Sequence, residues 1–194
     1  MKKRILSLLL ALVMVLTILP TVALAEGAPT MSGTCGASGN ENNVKWELTD
    51  VDGDGKYTLT ISGTGAMKNF TVNSKNDDRP WKDFISSITK GVVAQGVTNV
   101  GDRSFYNCSS MTSVELTDGI ILITGGAFEN CTSLTSLTLP NGLEKFGGNA
   151  FKGCTGLTGE LVIPDSVREI RNWAFMNCTS ISSVSIGKSV ESIS

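Results

Sequence analysis

Histidine is absent from this chain of 194 residues. It is the residue that most often acts as a general base, activates a serine or cysteine nucleophile, or ligates a transition metal, so its absence removes those kinds of site together. Asp77 and Asp78 are neighbours in a polar segment, where adjacent side chains rarely converge on one substrate, and we assign them no acid–base role. We predict that the protein is not an enzyme and uses no cofactor.

The chain also lacks an apolar run long enough to span a membrane. Three basic residues follow Met1, residues 5–18 are apolar apart from Ser7 and Thr17, and residues 23–25 form a small-residue cleavage site. This order is typical of a secretory signal peptide, and the run is shorter than the roughly 20 residues that a membrane anchor needs. We predict a signal peptide over 1–25, no membrane span after its cleavage, and a secreted or cell-surface location.

The chain also has no excess of basic over acidic residues. Cleavage after Ala25 removes three of the 16 Lys and Arg residues and leaves 13 against 18 Asp and Glu, a net charge of −5. Nucleic acids and anionic lipid surfaces are bound mainly by clustered Lys and Arg. We therefore predict no nucleic-acid partner.

Cysteine is present in an odd number, five, so at least one thiol has no partner within the chain. Cys108, Cys131, Cys154 and Cys178 recur at a constant spacing, except that the last step is one residue longer. In a stack of coils they would form a column spaced by about 4.8 Å. That distance permits a disulfide, but side chains in such a column run parallel instead of facing each other. Buried thiols are favoured over bridges, and the redox state of Cys35, outside the column, stays open.

An internal repeat dominates the rest of the chain. Phenylalanines 105, 128, 151 and 175 recur in phase with the cysteines and share their longer last step, which indicates a solenoid of stacked coils. Each unit has a strand pattern such as Leu134-x-x-Leu137-x-Leu139, a turn, a second short apolar pair and an Ala-Phe-x-x-Cys segment. The predicted core columns are Ile88, Met111, Leu134, Leu157 and Ile181; Val114, Leu137, Leu161 and Val184; and Val93, Leu116, Leu139, Ile163 and Ile186. The second apolar pairs are Val97 and Val100, Ile120 and Ile123, Leu143 and Phe146, Val167 and Ile170, and Val190 and Ile193.

Irregularities in the repeat carry separate predictions. Gly159 or Glu160 accounts for the one longer step, and we expect this extra residue to bulge a loop without shifting the apolar columns. Gly91 stands where the next unit has Val114, so the first repeat is predicted to be a hybrid with the preceding segment. Asparagines 107, 130 and 177 begin formal glycosylation sequons, but they recur with the repeat and are predicted to be turn residues.

The segment before the repeats has a different pattern. Residues 44–48 and 57–61 alternate apolar with polar side chains around a turn-rich linker, which predicts a β-hairpin with one buried, aromatic-lined face. Residues 26–39 are rich in Gly, Ser, Thr and Ala and are expected to be extended. Trp81, Phe84 and Ile85 are predicted to cover the open end of the repeat stack.

One metal-like motif lies in the hairpin linker. Asp50, Asp52, Asp54 and Gly55 match the start of a calcium loop, but Ile61 occupies the twelfth position, where a bidentate Glu belongs. The flanking residues also alternate like strands instead of forming helices. A solvated hairpin turn is therefore favoured. A calcium site, and a secreted hydrolase that uses Asp50, Asp52 or Asp54, are the alternatives.

The repeats resemble the BspA-like leucine-rich repeats of bacterial surface proteins. The likeness is carried by residues 139–157 and 163–181, where Leu-Pro or Ile-Pro is followed by Ala-Phe-x-x-Cys, and it covers about 88–194. Upstream, residues 33–36, 44–48, 59–67 and 80–81 look like the cap that precedes such repeats in secreted proteins of Gram-positive bacteria. The resemblance implies a β-rich, right-handed leucine-rich-repeat solenoid with short strands plus a short helix or turn per 23-residue repeat, and an N-terminal β-hairpin cap.

The predicted organisation is a signal peptide at 1–25, a β cap at 26–86 and leucine-rich repeats at 87–194, about four and a half units with an incomplete C-terminal end. The resemblance implies adhesion-like binding of a host or bacterial surface protein or matrix ligand. It carries no catalytic residues, and it leaves the oligomeric state unknown. A rigid spacer, or the N-terminal part of a larger surface protein whose active domain lies downstream, is the alternative. Alternation along the strands points to the sheet face as the ligand-binding surface, with outward positions Glu115, Ser136, Thr138, Glu160, Val162, Ser183 and Ser185.

Overall fold

The computed structural model describes residues 30–194, and the predicted signal peptide lies outside the described residues. The described chain is a β-solenoid with very little helix. Its strands are β1 (Met31–Thr34), β2 (Val44–Thr49), β3 (Tyr57–Gly63), β4 (Gly65–Ala66), β5 (Ile88–Val93), β6 (Val97–Val100), β7 (Ser113–Leu116), β8 (Leu122–Ile123), β9 (Lys145–Phe146), β10 (Gly159–Ile163), β11 (Glu169–Ile170), β12 (Ile181–Ile186) and β13 (Ser192–Ile193). A 3-10 helix spans Lys82–Phe84. Within residues 30–194, no helical segment has the length and hydrophobicity needed to cross a bilayer.

The strands form two faces of the solenoid. One face has a five-stranded sheet in the order β1-β2-β3-β5-β7, followed further along the stack by the pair β10-β12. The other face is an uninterrupted six-stranded sheet in the order β13-β11-β9-β8-β6-β4. Strands of successive coils pair in parallel, whereas β1, β2 and β3 pair antiparallel. We refer below to the first face as the sheet face.

The core between the two faces is built from the periodic residues. The rings of Phe105, Phe128, Phe151 and Phe175 stack with centroids 5.0, 5.0 and 5.3 Å apart and nearly parallel planes. Each such contact stabilises the stack by about 0.5–1.5 kcal/mol beyond the burial of apolar area. The second apolar pairs are buried from Val97 to Ile170, as predicted. The period of the repeat therefore places one ring per coil in register.

The periodic cysteines are thiols, as the sequence favoured. The sulfur of Cys131 donates to the carbonyl of Phe105 at 3.1 Å, and Cys154 and Cys178 make the same contact one coil further on. Burial raises the pKa of Cys35, Cys108 and Cys154 to about 12 and that of Cys178 to about 11, and it raises the pKa of Cys131 well above its ordinary value. Only the thiolate is a good nucleophile, so these groups are unreactive near neutral pH.

The predicted hairpin is confirmed. β2 pairs with β3 so that Trp46 faces Ile61 and Leu48 faces Leu59, and β3 continues the sheet by pairing in parallel with β5. Trp81 is fully buried, with its ring 5.8 Å from that of Trp46, and its indole nitrogen donates to the carbonyl of Ser104 at 3.0 Å. The hairpin and the first coil thus share one core.

A buried ion pair also joins this region to the first coil. The Arg79 side chain is 1% exposed and is held by two hydrogen bonds to Asp77, at 2.9 and 2.5 Å. It also donates to the carbonyl of Tyr106 at 2.7 Å. Burial pushes the pKa of Asp77 up, but the hydrogen bonds from Arg79 outweigh it, and the pKa ends below its usual value. Asp77 is therefore a structural residue, and Asp78 binds the ammonium of Lys68 at 2.7 Å.

The turns between strands use left-handed backbone conformations at fixed points of the repeat. Asn107, Asn130 and Asn177 have φ near +60°, and Gly153 takes the same place in the remaining coil with φ +74°. The amide nitrogen of the Asn130 side chain donates to the side-chain oxygen of Asn107 at 3.0 Å. The prediction that these asparagines are turn residues is confirmed, because Asn tolerates this region better than other side chains.

Two predictions about the repeats are wrong. Residues 134–139, which carry the strand signature, do not form a strand in the structure, whereas the equivalent residues of the neighbouring coils do. Val184 and Ile186, predicted to be core residues, are each 53% exposed. They lie in β12 of the last described coil, so no coil packs on their outer side within the described residues.

Gly91 is buried as expected of a core position, and the rings and side chains of its neighbours fill the space that a valine would take.

Candidate functional site: the sheet face and its cleft

The predicted binding residues lie in two rows across the sheet face. Pairing of the strands sets a first row, which runs through Glu47, Thr60, Val92, Glu115, Thr138, Val162 and Ser185. The second row runs through Thr58, Lys90, Ser113, Ser136, Glu160 and Ser183. Ser136 and Thr138 are placed by their repeat position, because their segment is unpaired. All seven predicted residues are exposed, and ligand binding by them stays a prediction.

One ion pair links the rows at the centre of the sheet face. The ammonium of Lys90 lies 2.5 Å from a carboxylate oxygen of Glu115, and the two side chains are 40% and 61% exposed. Exposed pairs of this kind contribute less than about 1 kcal/mol to folding. Glu160 has no ion-pair partner among residues 30–194, and neither has Glu47 of the first row, so both carboxylates are free to meet a ligand.

A break in the sheet separates the two halves of each row. Within the described chain, the backbone N–H groups of residues 136–139 donate no hydrogen bond, and neither β7 nor β10 pairs with this segment. The segment is attached at its start, where the N–H of Thr135 donates to Thr112 at 3.3 Å and the N–H of Thr158 donates to Thr135 at 3.2 Å. It is attached again after its end, where the N–H of Asn141 donates to the side chain of Asp118 at 3.3 Å.

The extra residue of the longer step lies beside this break. The pairing of β10 with β12 is irregular between Gly159 and Glu160, and Gly159 has φ +77°. Beyond that point the register is regular, with Leu161 opposite Val184. The expectation that the apolar columns stay in register is therefore correct, but the bulge lies in a strand instead of a loop. The same kind of register shift occurs between Tyr57 and Thr58 in the pairing of β3 with β5, where the ladder continues.

A cleft of about 410 Å³ occupies the break. The predicted residues Thr138, Glu160 and Val162 line it, and Val162 is 55% exposed. Sequence reasoning missed its other lining residues, which are Leu137, Leu139, Asn141 and Pro164. The nearest signal in the sequence is the longer step of the repeat, because its extra residue lies at Gly159 or Glu160, beside these residues.

The calcium-like motif has another use in the structure. Asp50 is 6% exposed, and its carboxylate accepts backbone N–H groups of Gly53, Asp54 and Gly55 at 2.7, 3.2 and 2.9 Å. The carboxylate of Asp54 instead binds the ammonium of Lys56 at 2.8 Å. Residues 30–194 contain no group of three or more His, Cys, Asp or Glu side chains suited to a metal ion. The motif thus forms the hairpin turn between β2 and β3, as favoured from the sequence.

A larger cavity, of about 580 Å³, lies at the last described coil. Its lining includes Leu161, Ile163, Ile181 and Val184, which are core positions of the repeat. Trp173 also lines it, is 62% exposed and has φ +61°, where the preceding coil has an asparagine. This cavity lies on the outer side of the core columns at the last described coil, whereas the cleft opens through the sheet face.

The repeats match a known family over most of the described chain. A family model described as a BspA-type leucine-rich repeat region matches residues 83–194 in six copies. This span is more than half of the chain. The chain belongs to the BspA-type leucine-rich repeat family. The cleft lies inside the matched span.

Solved structures of other leucine-rich repeat proteins support the fold. One from Eubacterium ventriosum matches with a TM-score of 0.60 at 23% identity, over 84% of this chain and 45% of its own. The leucine-rich repeat protein of T. pallidum matches with a TM-score of 0.52 at 25% identity, over 72% and 67%. One from Bacteroides ovatus has a TM-score of 0.54 at 23% identity, over 75% and 40%. The chain spans less than half the length of the E. ventriosum protein. No curated protein matches the sequence.

Proposed function

We propose that this BspA-type solenoid is a secreted or cell-surface recognition module that binds a protein or other macromolecule through its sheet face and catalyses no reaction. The observation that carries the proposal is the exposure of two rows of small polar, acidic and apolar side chains on one continuous side of the stack. The predicted signal peptide supports secretion. The raised pKa of the thiols and the structural use of Asp50 and Asp77 weigh against the catalytic alternatives.

The size of the sheet face sets the expected strength of binding. Eight strand positions spaced by about 4.8 Å, each about 13 Å long, cover roughly 500 Å². A standard interface uses about 800 Å² on each partner. One copy should therefore bind weakly, and firm retention should need several copies displayed together.

Retention of beads that carry many copies of the secreted chain tests the proposal. The beads are passed over immobilised host matrix proteins and bacterial surface proteins, and the fraction retained is measured. Glu115→Arg, on the sheet face, should lower retention at least fivefold. Glu191→Arg is the matched control, because Glu191 lies beside β13 on the opposite face and is likewise an exposed acid paired with one cation, Arg168. Background retention of the wild type on every ligand, or equal loss in both variants, would refute the proposal.

A rigid spacer is the second candidate function. The observation that favours it is the six-stranded sheet, which runs through every coil without a break, together with a single core that extends from Cys35 to Ala174. Such a stack resists bending. A spacer predicts two results. Wild type and variants show only background retention on the ligands, and deletion of coils lowers the surface exposure of any domain that accompanies the repeats.

A further inference from the structure

We propose that Asn141 is a covalent modification site, at which the backbone nitrogen of Gly142 displaces the side-chain amide and leaves aspartate or isoaspartate in the wall of the cleft. The conversion needs water but no enzyme and no cofactor. It does not rest on the proposed function, although its effect on binding does. The dipeptide, the free groups around it and the charge of the cleft carry the inference.

Asn141 and Gly142 form the only Asn-Gly pair in the chain. Asparagine is a thermolabile residue because its amide reacts with the backbone nitrogen of the residue that follows it. Glycine favours this reaction, since it has no Cβ to block the approach. Both residues are exposed, and a Cβ built on Gly142 would meet nothing within 4 Å. Water therefore reaches the reacting atoms, and the backbone around them has room to move.

The reacting groups are not held by other hydrogen bonds. Within residues 30–194, neither the side chain of Asn141 nor the N–H of Gly142 makes a hydrogen bond. The aspartates at the same position of the neighbouring coils are held. Asp118 accepts the backbone N–H of Asn141 at 3.3 Å, and Asp165 accepts that of Lys188 at 2.9 Å. Of these three side chains in the described chain, that of Asn141 is the one free to react.

The most similar asparagine elsewhere in the described chain is restrained. The side-chain oxygen of Asn73, which precedes Ser74, accepts the N–H groups of Lys75 and Asn76 at 2.9 Å each. A side chain bonded in this way must give up both hydrogen bonds before it can react. We therefore expect the fold to widen the difference in rate between Asn141 and Asn73, and unfolding to narrow it.

The step conserves atoms and electrons. The backbone nitrogen of Gly142 forms a bond to Cγ of Asn141, and the bond from Cγ to the side-chain nitrogen breaks. That nitrogen leaves as ammonia with the proton from Gly142. The cyclic imide that results takes up one water molecule and opens at either carbonyl. One opening gives aspartate, and the other gives isoaspartate, whose backbone contains an extra methylene group.

The charge of the cleft changes when Asn141 converts. In the described chain, Glu160 is the only charged residue that lines the cleft, and Asn141 contributes a neutral group to its wall. A second carboxylate would make the cleft doubly negative, with no lysine or arginine in its lining. The converted protein should therefore favour basic ligands, and disfavour acidic ones, more strongly than the fresh protein does.

Isoaspartate should also weaken the turn. The N–H of Leu143 donates to the carbonyl of Pro140 at 3.1 Å, which closes the turn across Asn141 and Gly142. The Leu143 side chain is fully buried, so this turn is tied to the core. An extra methylene group between the two partners moves them out of place. The isoaspartate form should unfold at a lower temperature, whereas Asn141→Asp, which keeps the backbone length, should differ little from the wild type.

Mass spectrometry of the secreted chain tests the proposal. The folded protein is incubated at mildly alkaline pH and digested, and deamidation and isoaspartate are measured at each asparagine. Gly142→Ala should slow the conversion of Asn141 about tenfold, because its methyl group hinders the attack. Ser74→Gly is the matched control, since it gives the restrained Asn73 the same neighbour that Asn141 has.

In the folded Ser74→Gly variant, Asn141 should convert about tenfold faster than Asn73, because only Asn73 must first lose two hydrogen bonds. In urea the two rates should become similar. Equal rates in the folded variant would overturn the proposal, as would a rate at Asn141 that Gly142→Ala leaves unchanged.

Bead retention separates this proposal from the proposed function. Beads that carry Asn141→Asp should be retained more strongly than the wild type on basic ligands and less strongly on acidic ones. Conversion of Asn141 with only background retention on every ligand would refute the proposed function and leave the modification standing. Specific retention without conversion would do the reverse.

Discussion

Deleting Gly159 should stabilise the protein, although deletions inside repeats usually destabilise them. The deletion lets residues 136–139 pair with β10, which adds about three backbone hydrogen bonds in a parallel ladder of that length. Each contributes about 0.5 kcal/mol net, the lower end of the usual range. Removing a glycine also lowers the conformational entropy of the unfolded chain, worth about 1 kcal/mol. The expected gain in the free energy of unfolding is about 2–3 kcal/mol.

Urea unfolding followed by tryptophan fluorescence measures this gain, since Trp46 and Trp81 are buried in the shared core. With a slope of about 2 kcal/mol per molar urea, the midpoint should rise by about 1 M. Deletion of Gly142 is the matched control, because it shortens a regular step of the repeat by one residue at a glycine that also has open space around it. That control should lower the midpoint. If both deletions lower it equally, the extra residue is not what keeps the ladder open.

Three further substitutions test the packing and the electrostatics. Gly91→Val places in the first coil the residue that the second coil uses, yet it should destabilise by about 2 kcal/mol in urea unfolding, because a Cβ there would already lie 3.0 Å from the ring of Phe105. Asp77→Asn removes the anionic partner of buried Arg79 and should cost about 2 kcal/mol near pH 7, reduced from the usual cost of such a loss because Asp77 is 22% exposed. Trp173→Asn should gain about 1 kcal/mol in thermal unfolding, because the left-handed conformation is less strained in asparagine.

Each of these has a result that would count against it. Equal stability of Gly91→Val and wild type would mean that the ring moves aside without penalty. The pKa of Asp77 is lowered in the folded state, so its contribution is fully present above its unfolded value of about 3.9 and is lost as pH falls below it. The wild type should therefore lose stability between about pH 5 and 3 more steeply than Asp77→Asn, and parallel curves would contradict the assignment. A lower midpoint for Trp173→Asn would show that the indole contributes more by contact than it costs in strain.

Much of the fold was predictable because its stabilising contacts repeat with a fixed spacing. The phase of Phe128 with Cys131 identifies the coil, and stacking places each ring on its counterpart one period away. The outward positions of the candidate site followed from the alternation of strands, as in Glu115 and Ser185. The position of the hairpin followed from the same alternation. The use of Asp50 to bind backbone amides could not be read from spacing, because a turn and a calcium loop share its pattern.

What the sequence by itself determined is the period, the identity of the core columns and the side of each strand that faces outward, since these depend on side-chain types at fixed intervals along one chain. What only the tertiary structure decided is where the ladder stops. Pairing joins backbone groups that lie a whole coil apart along the chain, so the sequence pattern of one strand does not determine it. Residues 136–139 have no partner in the described chain on either side, although only the side of β10 has the extra residue. The side chain of Leu161 keeps its place in the apolar column, whereas the backbone of residues 136–139 has no partner strand. The cleft lies where these two differ.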